Sequence, residues 1–149
     1  MKRAHPTLFV LSLVAMSSLP ACIDPFVPPP TYVFRMVKLV SKGDEKVATL
    51  GPPDLASGHC AMRGDSAYVL KANGEGTFQG FTSTIRAGET WHQTASVLTE
   101  AGTTLFDLGQ WNTSMDSANT WDPWRPRRFR FDSSLYNVME ALEFQGQCY

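Results

Sequence analysis

Histidine and cysteine are scarce in this chain, three of each in 149 residues. That leaves little from which to build a metal centre or a nucleophile with its base, and no G-x-S-x-G, H-E-x-x-H or phosphate-loop pattern occurs. The adjacent pair His59-Cys60 lacks the four-ligand spacing of a zinc site, so no metal and no other cofactor is expected. A Ser-His-Asp assembly does not need neighbours in sequence, yet nothing nominates one, and an enzyme ranks behind a binding protein. Charge of one sign is lacking as well: 13 basic residues face 14 acidic ones, whereas nucleic-acid-binding domains carry a clear basic excess. No internal repeat is visible, and no apolar run approaches the roughly 20 residues that a membrane-spanning helix requires.

The longest apolar run is Leu8-Phe9-Val10-Leu11-Ser12-Leu13-Val14-Ala15-Met16, preceded by Met1-Lys2-Arg3 and followed by Ser17-Ser18-Leu19-Pro20-Ala21-Cys22. A positive start, a short apolar stretch and a small residue before a cut are the parts of a cleaved export signal. Leu19-Pro20-Ala21-Cys22 resembles the lipobox of bacterial lipoproteins: an aliphatic residue, a variable one, a small one and an obligatory cysteine. Leu19, Ala21 and Cys22 fit the pattern, and Pro20 is a less usual choice at its position. The resemblance covers only the first 22 residues. It implies a diacylglyceryl group on the Cys22 thiol, cleavage before Cys22 by a dedicated peptidase, and acylation of the new amine. Two or three chains, at about 0.8 kcal/mol per buried CH₂, anchor a protein stably where one would not. In lipoproteins of two-membrane bacteria an aspartate directly after the cysteine favours the inner membrane; here that residue is Ile23, which points to the outer one. The alternative is an ordinary secretory signal in which Cys22 is incidental.

On this reading residues 1–21 are the leader, 22–31 the lipidated cysteine and a stalk, and 32–149 one β-rich domain. Pro25, Pro28, Pro29 and Pro30 favour extended polyproline II at about 3.1 Å per residue, a semi-rigid spacer of roughly 25 Å. Loss of Lys2 and Arg3 takes the 13 basic residues to 11 against 14 acidic ones, a net charge of −3. Two cysteines remain, Cys60 and Cys148, and outside the cytoplasm such a pair reads most simply as a disulfide, with a pair of free buried thiols as the alternative. Closing a loop of nearly 90 residues is worth roughly 4 kcal/mol in the chain-entropy picture.

Within the domain, runs of β-branched and aromatic residues alternate with turns. Tyr32 to Val40 sets Tyr32, Phe34 and Met36 on one face and Val33, Val37 and Leu39 on the other. Gly43-Asp44 turns the chain into Val47-Ala48-Thr49-Leu50, which stops at Gly51-Pro52-Pro53. Ser66–Ala72 and Thr77–Thr84 flank Asn73-Gly74, the strongest hairpin signal present, and one that predicts a type I′ turn. Residues 89–98 fit either a helix face (Trp91, Ala95, Leu98) or a strand face (Trp91, Ala95, Val97); their threonines and the Glu100-Ala101-Gly102 turn into Thr103–Leu108 favour a second hairpin. Arg127 to Phe131 reads as a half-buried strand. Leu135, Val138, Met139 and Leu142 keep helical spacing behind Asp132, Ser133 and Ser134, suited to one short helix near the C-terminus, and Phe144–Cys148 closes as a strand. The expected fold is mostly β, a small antiparallel β-barrel or β-sandwich.

The most distinctive stretch runs from Trp111 to Trp124, three of the four tryptophans in 14 polar residues, followed at once by Arg125, Arg127, Arg128 and Arg130. Tryptophan and arginine dominate binding hot spots, and a flat indole also stacks on sugar rings. Trp111, Trp121, Trp124, Arg125, Arg127 and Arg128 are therefore the candidate binding surface; the competing reading folds the indoles back as a lid on the domain. Arg63-Gly64-Asp65 spells an adhesion tripeptide but reads as an ordinary loop, and Asn112-Thr113-Ser114 fits the glycosylation pattern, which has little meaning in a typical bacterium. The leading class is an envelope module binding an envelope, secreted or incoming protein; second is a glycan or small-ligand binder using the same tryptophans.

Overall fold

A computed structural model describes residues 32–149; the leader, Cys22 and the proline-rich segment lie outside the described residues. The described chain is built from thirteen strands: β1 (Val33–Lys38), β2 (Val40–Lys42), β3 (Glu45–Thr49), β4 (Leu55–Ser57), β5 (Cys60–Met62), β6 (Ala67–Lys71), β7 (Glu75–Gln79), β8 (Phe81–Thr84), β9 (Glu89–Leu98), β10 (Thr104–Met115), β11 (Asp122–Pro123), β12 (Arg127–Arg130) and β13 (Ala141–Cys148). They form three antiparallel sheets of order β1-β13-β9-β10, β12-β7-β6-β3-β2 and β11-β8-β5-β4. None closes on itself as a barrel. No helix among the described residues is long and apolar enough to cross a membrane.

The core lies between inward faces with a period of two, as strand geometry requires. From the first sheet come Trp91, Ala95, Val97, Leu142 and Phe144; from the second Ala48, Tyr68, Leu70 and Phe78; from the third Leu55 and Met62, all buried. One polar chain crosses this core: Trp91 Nε1 donates to Gln93 Oε1 (3.3 Å), and Gln93 Nε2 donates to Tyr68 Oη (2.8 Å). Each link satisfies a donor that burial would otherwise leave unpaired at a cost of about 1–3 kcal/mol. Burial also raises the Tyr68 pKa far above its ordinary value, with the Gln93 hydrogen bond opposing weakly.

Three sequence expectations need correction, and one left open is decided in favour of strand. The Asn73-Gly74 hairpin forms, with β6 paired to β7, but only Gly74 has positive φ (86°) and its N–H bonds Lys71 O at 3.0 Å. That is a three-residue loop ending in a left-handed glycine, not a type I′ turn. The C-terminal helix is a single 3₁₀ segment, Ser133–Val138, capped by Asp132, while Leu142 sits in β13, buried against the sheets. The ambiguous 89–98 segment is strand throughout, with Trp91, Gln93, Ala95 and Val97 all inward. Its partner β10 runs on to Met115 past a bulged stretch at Gly109 (φ 81°), so the expected polar loop begins as strand, from Trp111 to Met115.

Candidate functional site

The segment after β10 follows the edge of two sheets in turn. Asn119 N bonds Thr84 O, β11 pairs with β8, Trp124 N bonds Gly80 O, and β12 pairs with β7. Gly80, where β7 passes into β8, tolerates no side chain, because a Cβ there would press on the Phe78 ring and Ser66 Oγ. This register decides which tryptophans are displayed. Trp124 is only 5% exposed, edge-on to Phe78 at 5.3 Å with Nε1 donating to Thr82 Oγ1 at 3.2 Å. Trp111 lies on the inward face of β10 against Tyr68, Phe78 and Phe129, each ring at 5.8 Å. The two indoles close the end of the core, which is the lid reading, and only Trp121, 40% exposed, remains on display.

The arginines are exposed but do not share one face. Arg127 pairs with Phe78 in register and so points with Phe129 toward the other sheet, where Nη2 donates to Asn112 O at 3.3 Å. Arg128 and Arg130 point outward beside Thr77 and Glu75. Arg130 is held by Glu75 (3.3 Å) and Lys71 by Glu45 (3.2 Å), a ladder of alternating charge across the outer face. Arg125, Arg127 and Arg128 form no salt bridge among the described residues. A groove of about 630 Å³ opens beside Arg128, Phe129, Arg130 and Lys71.

Cys60 and Cys148 are joined in a disulfide 88 residues apart in sequence, tying β5 to the end of β13. Glu89, at the start of β9, is the residue that sequence reasoning missed. Its Oε2 lies 2.8 Å from Cys148 Sγ and 3.3 Å from Cys60 Sγ, and its Oε1 accepts from His59 Nδ1 at 2.8 Å. In a disulfide neither sulfur has a proton to give, so only the imidazole and the Thr84 hydroxyl (3.4 Å) donate to this carboxylate. The sulfur and carboxylate donor atoms lie within 4.8 Å of one another, but bonded sulfurs are not thiolates and the oxidised pair is not a metal-ligand set. Nothing in the sequence flagged Glu89, because its partners are brought in by β5, β8 and β13.

His92 sits on the outer face of the first sheet, accepting from Gln110 Nε2 (3.3 Å) at Nδ1 and lying edge-on to Tyr149 at 4.4 Å. Among the described residues no Asp or Glu side chain lines the trough it faces. The Arg63-Gly64-Asp65 tripeptide is closed on itself: Asp65 takes two hydrogen bonds from Arg63 (2.7 and 2.8 Å), which hold its carboxyl below the usual range, and the guanidinium lies 3.6 Å over Phe81.

A family model of a family of unknown function, DUF6294, matches residues 67–148. The chain belongs to that family. No curated protein and no solved structure matches the chain. The DUF6294 match runs from β6 to Cys148 and so takes in the whole Trp/Arg edge, Glu89 and His92, while Cys60 and β1 to β5 precede it.

Proposed function

We propose that this DUF6294 member is a lipid-anchored module of the bacterial cell envelope, held in the outer membrane through Cys22, that works by binding a protein partner rather than by catalysis. The observation that supports the reading best is the position of the Trp/Arg segment. It is the outermost strand of two sheets in succession, and beside its exposed Trp121 it carries Arg125, Arg127 and Arg128 with no acidic partner among the described residues. An exposed edge offers backbone groups to an incoming strand, and unpaired guanidiniums select a partner with carboxylates there. The partner surface is therefore acidic and extended.

A photo-crosslinking residue at position 121, with envelope proteins of the producing cell as prey, tests this. The wild type is expected to give a discrete crosslinked species that disappears in Arg125→Glu/Arg128→Glu and weakens with rising salt. A crosslink pattern identical in the charge-reversed variant removes the reading.

A further inference from the structure

On the outer face of the first sheet the structure holds a shallow trough of about 170 Å³ between Tyr32 and Tyr149, floored by His92, Gln110, Gln145 and Gln147 and lined by none of Trp121, Arg125, Arg127 and Arg128. Two features set it apart. Its lining side chains include no Lys, Arg, Asp or Glu, although the opposite sheet's outer face is laddered with charge. And Gln147, although it belongs to the outward set of β13, is only 4% exposed, with its Nε2 lacking any hydrogen-bond partner. Its Oε1 accepts from the Tyr149 hydroxyl at 2.5 Å. A buried amide donor without a partner is costly, and in a native protein such a group calls for something that uses it, such as an ordered water or a ligand.

We propose that this trough binds a neutral oligosaccharide. The lining side chains are amide, hydroxyl, imidazole and phenol, which give and accept hydrogen bonds at close spacing as the hydroxyls of a sugar require. Tyr32, 56% exposed, offers a flat ring for the apolar face of a sugar. The floor is made of side chains from three adjacent strands, so an extended peptide finds no free backbone edge there. The Gln147 amide donates to a ring substituent, a hydroxyl or acetamido oxygen, once the exposed Tyr149 ring turns aside. The sugar edge bonds Gln110 and Gln145.

The site is independent of the protein-binding reading, and one titration series separates them. The full domain, labelled with ¹⁵N, is titrated with chitotetraose, with cellotetraose and with a heparin fragment, and the glutamine side-chain amide signals are followed. Saturable 1:1 shifts of the Gln147 and Gln145 amides with at least one neutral tetrasaccharide are expected. They should weaken about tenfold or more in Tyr32→Ala, and likewise in Gln147→Met, and stay unchanged in Arg125→Glu/Arg128→Glu. Tyr32 is exposed, so its variant reports binding even if Gln147→Met disturbs the sheet. The proposal fails if neither neutral saccharide shifts these amides, if the heparin fragment alone binds, or if Tyr32→Ala binds as the wild type does.

Discussion

Cutting the Cys60–Cys148 bond should remove much of the domain's stability. The two cysteines are 88 residues apart, and freeing a loop of that length returns between about 4 and 5 kcal/mol of entropy to the unfolded chain. A domain of this size is stable by only about 5–15 kcal/mol in all. The structure also shows what the bond joins: β5 belongs to the third sheet and β13 to the first, where Cys148 N donates to Ser57 Oγ at 3.2 Å. Part of the loss is recovered locally, since two new thiols can donate to Glu89 Oε2, already within 3.3 Å of both sulfurs. Urea unfolding with and without a phosphine reductant, beside a Cys60→Ser/Cys148→Ser variant, measures the difference. With a slope of about 1–3 kcal/mol per molar urea, the midpoint should fall by about 2–4 M. A fall below about 0.5 M, with the oxidised protein showing no free thiol, would refute the assignment of stability to loop closure.

Tyr68 keeps its proton in the folded state well past its ordinary pKa of 10.0. Stability should therefore be level below that pH and decline above it by about 1.4 kcal/mol per pH unit, seen as a urea midpoint that drops on the alkaline side and drops less in Tyr68→Phe. Gln93→Leu leaves both the Trp91 indole N–H and the Tyr68 hydroxyl unpaired in the core; a loss of about 2–4 kcal/mol by thermal or urea melts is expected, from roughly 1–3 for each orphaned group. In Gly76→Ala the new methyl falls on the Phe129 ring, so the β12 edge should detach at a cost of about 1–3 kcal/mol, read out as faster proteolysis within residues 119–130. Cys22→Ser should move the protein from the membrane fraction to the soluble one, with the mass of the wild-type N-terminus carrying acyl groups; an unmodified Cys22 would remove the lipoprotein reading.

Local patterning made most of the strands readable. Tyr32, Phe34 and Met36 are exposed while Leu39 is buried, as alternation requires, and the glycines at 43, 74 and 102 fall in left-handed turns. What escaped is what depends on partners distant in sequence. β4 and β5 are three residues each and exist because β5 pairs with β8 and β4 with β5, so no periodicity could announce them. Trp124 looked like a displayed hot spot because its neighbours are polar; its burial follows from the bond to Gly80 and the Phe78 ring beneath. Helical spacing at Leu135–Leu142 misled because Met139 and Leu142 reach the core from a 3₁₀ exit and a strand. Glu89 was invisible because its partners, His59 and both sulfurs, come from other strands.

The two proposed surfaces stand in different relation to the anchor. Tyr32, which rims the trough, follows directly on the proline-rich segment, whereas the Trp/Arg edge runs along β11 and β12, edge strands of the other two sheets. On the lipoprotein reading proposed above, an extended spacer of nine residues at about 3.1 Å each would reach less than roughly 30 Å, and a saccharide in the trough would then be held close to the membrane while the arginine edge remained open to a protein approaching from outside. Lengthening the stalk by inserting further prolines leaves both sites chemically intact. Affinity for a free tetrasaccharide should then be unchanged, but the domain's attachment to saccharide within intact envelopes should fall if the trough works at that short distance. Equal attachment at every stalk length would mean that the distance set by the prolines has no bearing on what the trough holds.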